Sequence, residues 1–93
     1  MNNILYLFTL EGCSHCVEVK DRLKTENIKY KELDIDKHEN IWDEVVKETE
    51  QDYVPTIFIQ DDDDGSGKIY TPINDYNDID ELMTIIIENM KGD

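Results

Sequence analysis

Ile4-Leu5-Tyr6-Leu7-Phe8 is an unbroken apolar run, the pattern of a central strand buried on both faces. Glu11-Gly12 ends it. From Cys16 onward Val19 and Leu23 recur at helical spacing among Lys20, Asp21, Arg22 and Lys24, which predicts a helix reaching about Asn27. Residues Ile28 to Ile35 alternate with one slip of phase and predict a second strand, after which Asp36 to Glu39 turn the chain. Ile41, Trp42, Val45, Val46 and Thr49 mark one face of a second helix that ends before Tyr53. Val54-Pro55-Thr56-Ile57-Phe58-Ile59 predicts a strand opening on a proline. The Asp- and Gly-rich stretch from Asp61 to Gly67 is a turn by composition, and Lys68-Ile69-Tyr70-Thr71 returns as its antiparallel partner. Ile79, Leu82, Met83, Ile86 and Met90 form the apolar stripe of a closing helix, with Asn77 or Asp78 as its N-cap.

The order is therefore β-α-β-α-β-β-α, an α/β chain whose first half has the alternation that gives parallel strands joined by right-handed crossovers. There is neither a repeat nor a linker, and 93 residues suit a single domain over residues 1–93. At this size little stability is spare, so the apolar segments, with Tyr6, Trp42, Tyr53 and Tyr70 among them, are expected in the core or at its margin.

Charge narrows the partners. Nine basic against 23 acidic residues give a formal charge of −14, which disfavours nucleic acid and anionic membranes and favours a basic partner surface. Met1-Asn2-Asn3 lacks the positive start of a signal peptide, and no uncharged apolar run approaches the roughly 18 residues of a membrane helix. The expectation is a cytoplasmic monomer, in a compartment where a cysteine pair is catalytic or metal-binding rather than structural.

That pair is Cys13-Ser14-His15-Cys16, a C-x-x-C spacing at the point where a strand gives way to a helix, which reads as a thioredoxin-like redox motif. A thiolate at a helix N-terminus meets unpaired N–H groups and the positive end of the macrodipole, so the nucleophilic anion is stabilised. Cys13, the more exposed, is expected to attack a disulfide. Cys16, one turn inside the helix, is expected to resolve the mixed disulfide. Ser14 can donate to the thiolate, and His15 can add positive charge when protonated. Glu11 opposes both. Two other readings compete. A structural zinc normally takes four ligands, for which the chain offers two Cys and two His, with His38 in a distant turn. A purely structural disulfide closing so short a loop adds little stability. The aspartate run suggests calcium only until an EF-hand is laid over it, when Gln60 and Thr71 fall at the first and twelfth positions. A solvated hairpin tip is the better reading, and no metal site is expected.

The first strand, the cysteine motif, Val54-Pro55 before a strand, and Ile73-Asn74-Asp75-Tyr76-Asn77-Asp78-Ile79 before the last helix together resemble the glutaredoxin family. The resemblance implies a thioredoxin-type fold with a central four-stranded mixed sheet flanked by three helices. It implies a thiol-disulfide oxidoreductase that reduces protein disulfides or glutathione mixed disulfides. It also implies that Pro55 is a cis-proline facing the cysteines, that Val54 and Pro55 form the substrate shelf, and that Asn77 and Asp78 can contact a ligand amine. No cofactor is expected to be tightly bound, and glutathione is implied as a co-substrate. Three departures bear on glutathione. Ser14 and His15 replace the family's usual proline and tyrosine. Leu10 stands where a basic residue commonly helps bind a carboxylate. Asn74-Asp75 replaces a glycine pair, so that Asp75 is expected to bring negative charge to a carboxylate site. A thioredoxin reductase is therefore an alternative electron donor. A redox-inactive module that docks a basic partner through its acidic surface is the alternative of a different class.

Overall fold

A computed structural model of the chain describes residues 3–72 and 74–90. Of the sequence features above, Met1-Asn2 and Ile73 lie outside the described residues. The element order is β1 (Asn3–Thr9), α1 (Ser14–Thr25), β2 (Lys31–Asp34), α2 (Glu39–Thr49), β3 (Thr56–Asp61), β4 (Gly67–Tyr70) and α3 (Ile79–Met90), which is the predicted β-α-β-α-β-β-α.

The apolar run of β1 places it inside the sheet, whose order is β2-β1-β3-β4. β1 runs parallel to β2, with Tyr6 opposite Lys31, and antiparallel to β3, with Leu7 opposite Ile57. β3 and β4 form the antiparallel hairpin. Because successive strand residues face opposite ways, the sheet divides its side chains between two cores. Leu5, Leu7, Ile57 and Ile59 pack with Val19 and Leu23 of α1 and Leu82, Met83 and Ile86 of α3. Phe8 packs with Trp42 and Val45 of α2, its ring centroid 5.3 Å from that of Trp42. α1 and α3 thus cover one face and α2 the other. The described part of the last helix buries the stripe its sequence predicts, with Ile79 and Met90 at the margin.

The second strand is shorter than the alternation suggests, and the cause lies in how α1 stops. Asn27 takes a left-handed conformation (φ 59°). Its N–H donates to the Lys24 carbonyl at 3.1 Å, and the Ile28 N–H donates to the Leu23 carbonyl at 2.9 Å. This is the Schellman pattern, in which the residue after the left-handed position packs back on the helix. Ile28 joins Leu23 in the core, so its apolar side chain belongs to the helix terminus rather than to a strand. β3 starts at Thr56, not Val54, because Pro55 has no N–H to give the ladder. Two further expectations fail on the α2 side. Ile41, in the first turn of the helix, is 46% exposed, and Tyr53, in the loop before β3, is 55% exposed. Trp42 and Val45 are the buried residues of that helix, with Val46 partly buried against the same cluster.

The aspartate run folds into a tight hairpin tip. Asp61 accepts from the Asp63 N–H at 2.8 Å, and Asp64 accepts from the Ser66 N–H at 2.8 Å and the Ser66 hydroxyl at 2.7 Å. The Ser66 hydroxyl, and then its N–H, hold the exposed Asp64 carboxyl below the usual range. Among the described residues no group of three or more His, Cys, Asp or Glu is placed to hold a metal ion. At the foot of the tip Gly67 pairs with Gln60, and a Cβ on it would lie 2.5 Å from the Phe58 ring and 2.8 Å from the Ile59 carbonyl oxygen. Gly67→Ala is therefore expected to cost about 1–3 kcal/mol through overpacking. The check is the urea midpoint, and an unchanged midpoint would contradict the packing described here.

Candidate active site

The chain leaves β1 at Thr9 and reverses through Leu10 to Cys13, with the Cys13 N–H donating to the Leu10 carbonyl at 3.1 Å. The third residue of that turn, Gly12, has φ +88°, a region open to glycine and costly for a side chain. Cys13 is consequently delivered to the N-cap of α1 (φ −84°, ψ 107°), and its Sγ accepts from the Cys16 backbone N–H at 3.1 Å. A cysteine here does what serine or aspartate does at most helix starts. It places sulfur against one of the orphan donors that favour negative charge.

Cys13 and Cys16 form a disulfide, their Cα atoms 5.3 Å apart. The two ends are unequal, as the sequence predicts. Cys13 is half-buried, while Cys16 is 1% exposed and packed inside the first helical turn. An external disulfide can therefore reach the first sulfur and not the second. Ser14 and His15 are both exposed.

Beside the motif lies a cleft of about 470 Å³. His15 and Glu18 of α1 form one wall, Val54 and Pro55 the floor, and Tyr76 with residues 77–80 at the start of α3 the other wall. Five of the residues singled out from sequence, namely His15, Val54, Pro55, Asn77 and Asp78, therefore meet in one cavity, with Cys13, Ser14 and Cys16 outside its lining. The Val54–Pro55 peptide is cis. Two hydrogen bonds fix this floor from behind. The Tyr76 hydroxyl donates to the Pro55 carbonyl, and the buried Thr56 hydroxyl donates to the Tyr53 carbonyl at 2.6 Å.

Tyr76 is 4% exposed, and its phenol is held well above the usual range, first by burial and then by the charge of Asp75. The sequence reading assigns Tyr76 no role. Its signal was a lone aromatic in an otherwise polar segment just ahead of a helix cap.

The start of α3 is a reciprocal cap. Asp78 Oδ1 accepts from the Glu81 N–H, and Glu81 Oε1 accepts from the Asn77 N–H, each at 2.8 Å. Asp75 is placed differently from the expectation drawn for it. Its carboxylate accepts from the Thr71 N–H at 2.8 Å, its own N–H donates to the Thr71 carbonyl at 3.0 Å, and it does not line the cleft. Short polar side chains take up backbone donors in this way in turns, and Asp75 shapes the loop ahead of α3.

The sequence matches the Glutaredoxin family over residues 5–63, which takes in β1, the cysteine motif and β3. Among solved structures, the thioredoxin-like protein BC3987 aligns with a TM-score of 0.64 at 25% identity, covering 87% of this chain and 97% of that one. A mutant of the same protein aligns with a TM-score of 0.65 at 23% identity, covering 88% and 97%. A buckwheat glutaredoxin in complex with glutathione aligns with a TM-score of 0.53 at 25% identity, covering 60% of this chain and 54% of that one. None of the curated proteins compared matches the chain. A cysteine pair capping a helix beside a cis-proline, within a four-stranded mixed sheet of this order, agrees with that match: the chain belongs to the glutaredoxin family, thiol-disulfide oxidoreductases built on the thioredoxin fold.

Proposed function

We propose that the protein reduces disulfides in polypeptides, or mixed disulfides with glutathione, through Cys13 attack and Cys16 resolution. The observation that carries this reading is the N-cap role of the Cys13 sulfur, which receives the Cys16 N–H at 3.1 Å while Cys16 itself is buried. In the reduced protein the Cys13 thiolate attacks one sulfur of the substrate, the substrate S–S bond breaks, and one thiol leaves with a proton. Cys16 then loses its proton and attacks the Cys13 sulfur, releasing the second thiol and leaving the Cys13–Cys16 disulfide. Two electrons have passed to the substrate. A donor thiol, glutathione or the dithiol of a thioredoxin reductase, restores the protein by the reverse exchange.

In this reading Val54 and Pro55 present the shelf along which the substrate lies, and Asn77 and Asp78 border it. Ser14 and His15, the first two residues of α1, tune the couple from its exposed side. The protein works as a monomer in a reducing compartment, the cytoplasm, without a tightly bound cofactor. No helix among the described residues is long and apolar enough to cross a membrane. With Leu10 in place of a basic residue, the expected KM for glutathione is high, and comparing turnover on glutathione and on a thioredoxin reductase decides the donor.

The test is the reduction potential of the Cys13–Cys16 couple, measured by equilibration in thiol redox buffers. A value of roughly −200 to −230 mV, the range of glutaredoxins, is expected. A potential below about −300 mV, the region of structural disulfides, overturns the proposal.

A further inference from the structure

Resting on the oxidoreductase reading above, we infer that the cleft beside Cys13 selects disulfides that carry positive charge next to the sulfur, in the form of polypeptide segments with lysine or arginine adjacent to the cysteine. Neither cysteine lines this cleft, but it adjoins their motif through His15, so a substrate segment lying in it meets the charge of its walls. Glu18 on one wall and Asp78 and Asp80 on the other are all exposed, and among the described residues no lysine or arginine lines the cavity. The nearest compensation is Arg22, whose Nη1 lies 2.6 Å from Asp80 Oδ1. The same guanidinium also feels the charges of Glu18 and Glu26. One cation thus serves several carboxylates across the α1–α3 junction, and the cleft keeps a negative surplus.

His15, the remaining titratable base in the lining, is exposed beside Glu18. Glutathione disulfide, with more carboxylates than amines, meets repulsion here. A cysteine flanked by cations meets attraction at the moment its disulfide reaches Cys13. The formal charge of −14 draws any cation toward the molecule, so the inference requires that the cleft carboxylates act more strongly than distant ones.

The experiment is a single turnover of the prereduced protein, which needs no electron donor. Three disulfide-linked peptide dimers are supplied, identical except that the cysteine is flanked by Lys, Ser or Glu, and thiol release is followed. At low ionic strength the Lys-flanked peptide is expected to react at least about tenfold faster than the Glu-flanked one, with the Ser peptide between them. About 0.5 M salt collapses most of that ratio. Glu18→Gln is expected to lower the ratio about threefold. Asp62→Asn removes the same charge from the hairpin tip, roughly 20 Å away along β3, and is expected to change the ratio less.

Cystamine separates the possible sources of the cation. Reaction slower than that of the Lys peptide assigns the preference to polypeptides, and reaction as fast extends it to small aminothiols. A ratio below about threefold, or equal effects of Glu18→Gln and Asp62→Asn, overturns the inference and leaves the oxidoreductase reading in place. Failure of all three peptides to release thiol overturns that reading, and the inference with it.

Discussion

Cys13→Ser is expected to reduce disulfide turnover by on the order of 10³-fold or more, the scale of losing a catalytic nucleophile. Cys16→Ser is expected to keep the first step and to stop at a mixed disulfide on Cys13. The difference follows from where the two sulfurs sit. Cys13 caps α1 with its sulfur on the Cys16 N–H. A serine hydroxyl in the same place makes the same hydrogen bond and preserves the helix, but it is not ionised at neutral pH and does not exchange with disulfides. Cys16, at 1% exposure, reaches no external sulfur, so it cannot take over the attack. Mass spectrometry after addition of a peptide disulfide reads both results directly. A peptide adduct should accumulate in Cys16→Ser, and Cys13→Ser should stay unmodified. A Cys13→Ser protein retaining a tenth of the activity would remove Cys13 from the role given to it.

The second large effect belongs to stability. Tyr76→Phe removes the hydroxyl that donates to the Pro55 carbonyl and leaves a buried acceptor without its partner, at an expected cost of about 1–3 kcal/mol. Tyr76→Ala adds a cavity in the α1–α3 core and is expected to cost about 3–5 kcal/mol. The two are separated from a general loss of packing by pH. The phenol of Tyr76 titrates above its ordinary value of 10.0 in the folded protein, so the folded state holds this proton more tightly than the unfolded chain does. The resulting stability is fully present below pH 10. It is lost as the pH rises above that, when the unfolded chain ionises first. Urea unfolding across the alkaline range should therefore show wild-type stability falling more steeply than that of Tyr76→Phe. Parallel curves for the two proteins would exclude Tyr76 as the source.

What could be read from the chain, and what could not, divides by the distance over which the information acts. The Ile4–Phe8 run and the Ile79-Leu82-Met83-Ile86-Met90 stripe are local patterns, and each became the element it predicts. The inequality of Cys13 and Cys16 was legible for the same reason, because three residues of helix decide it. Ile28 was misread where two local signals overlapped, since an apolar residue after Asn27 serves a Schellman terminus as well as it begins a strand. Ile41 was misplaced because an amphipathic face says which residues can be buried and not how much sheet is there to cover them, and Tyr53 because it lies in the loop before β3 rather than in a strand or helix. On the α2 side Trp42 and Val45 are the helix residues buried against Phe8. The contact of Tyr76 with Pro55 spans 21 residues of sequence and leaves no periodic trace. Asp75 has the residue type of an electrostatic gate, and only the loop geometry shows its carboxylate given to the Thr71 backbone.

Among the described residues, the strand order β2-β1-β3-β4 leaves β2 and β4 without a neighbouring strand on their outer sides. Each is four residues long, and each exposes charge at its start, Lys31 and Glu32 on one and Lys68 on the other. Short, charged borders of this kind make a poor template for a strand from another molecule. In a crowded solution, the borders of this sheet therefore offer native molecules little on which a fibre could grow.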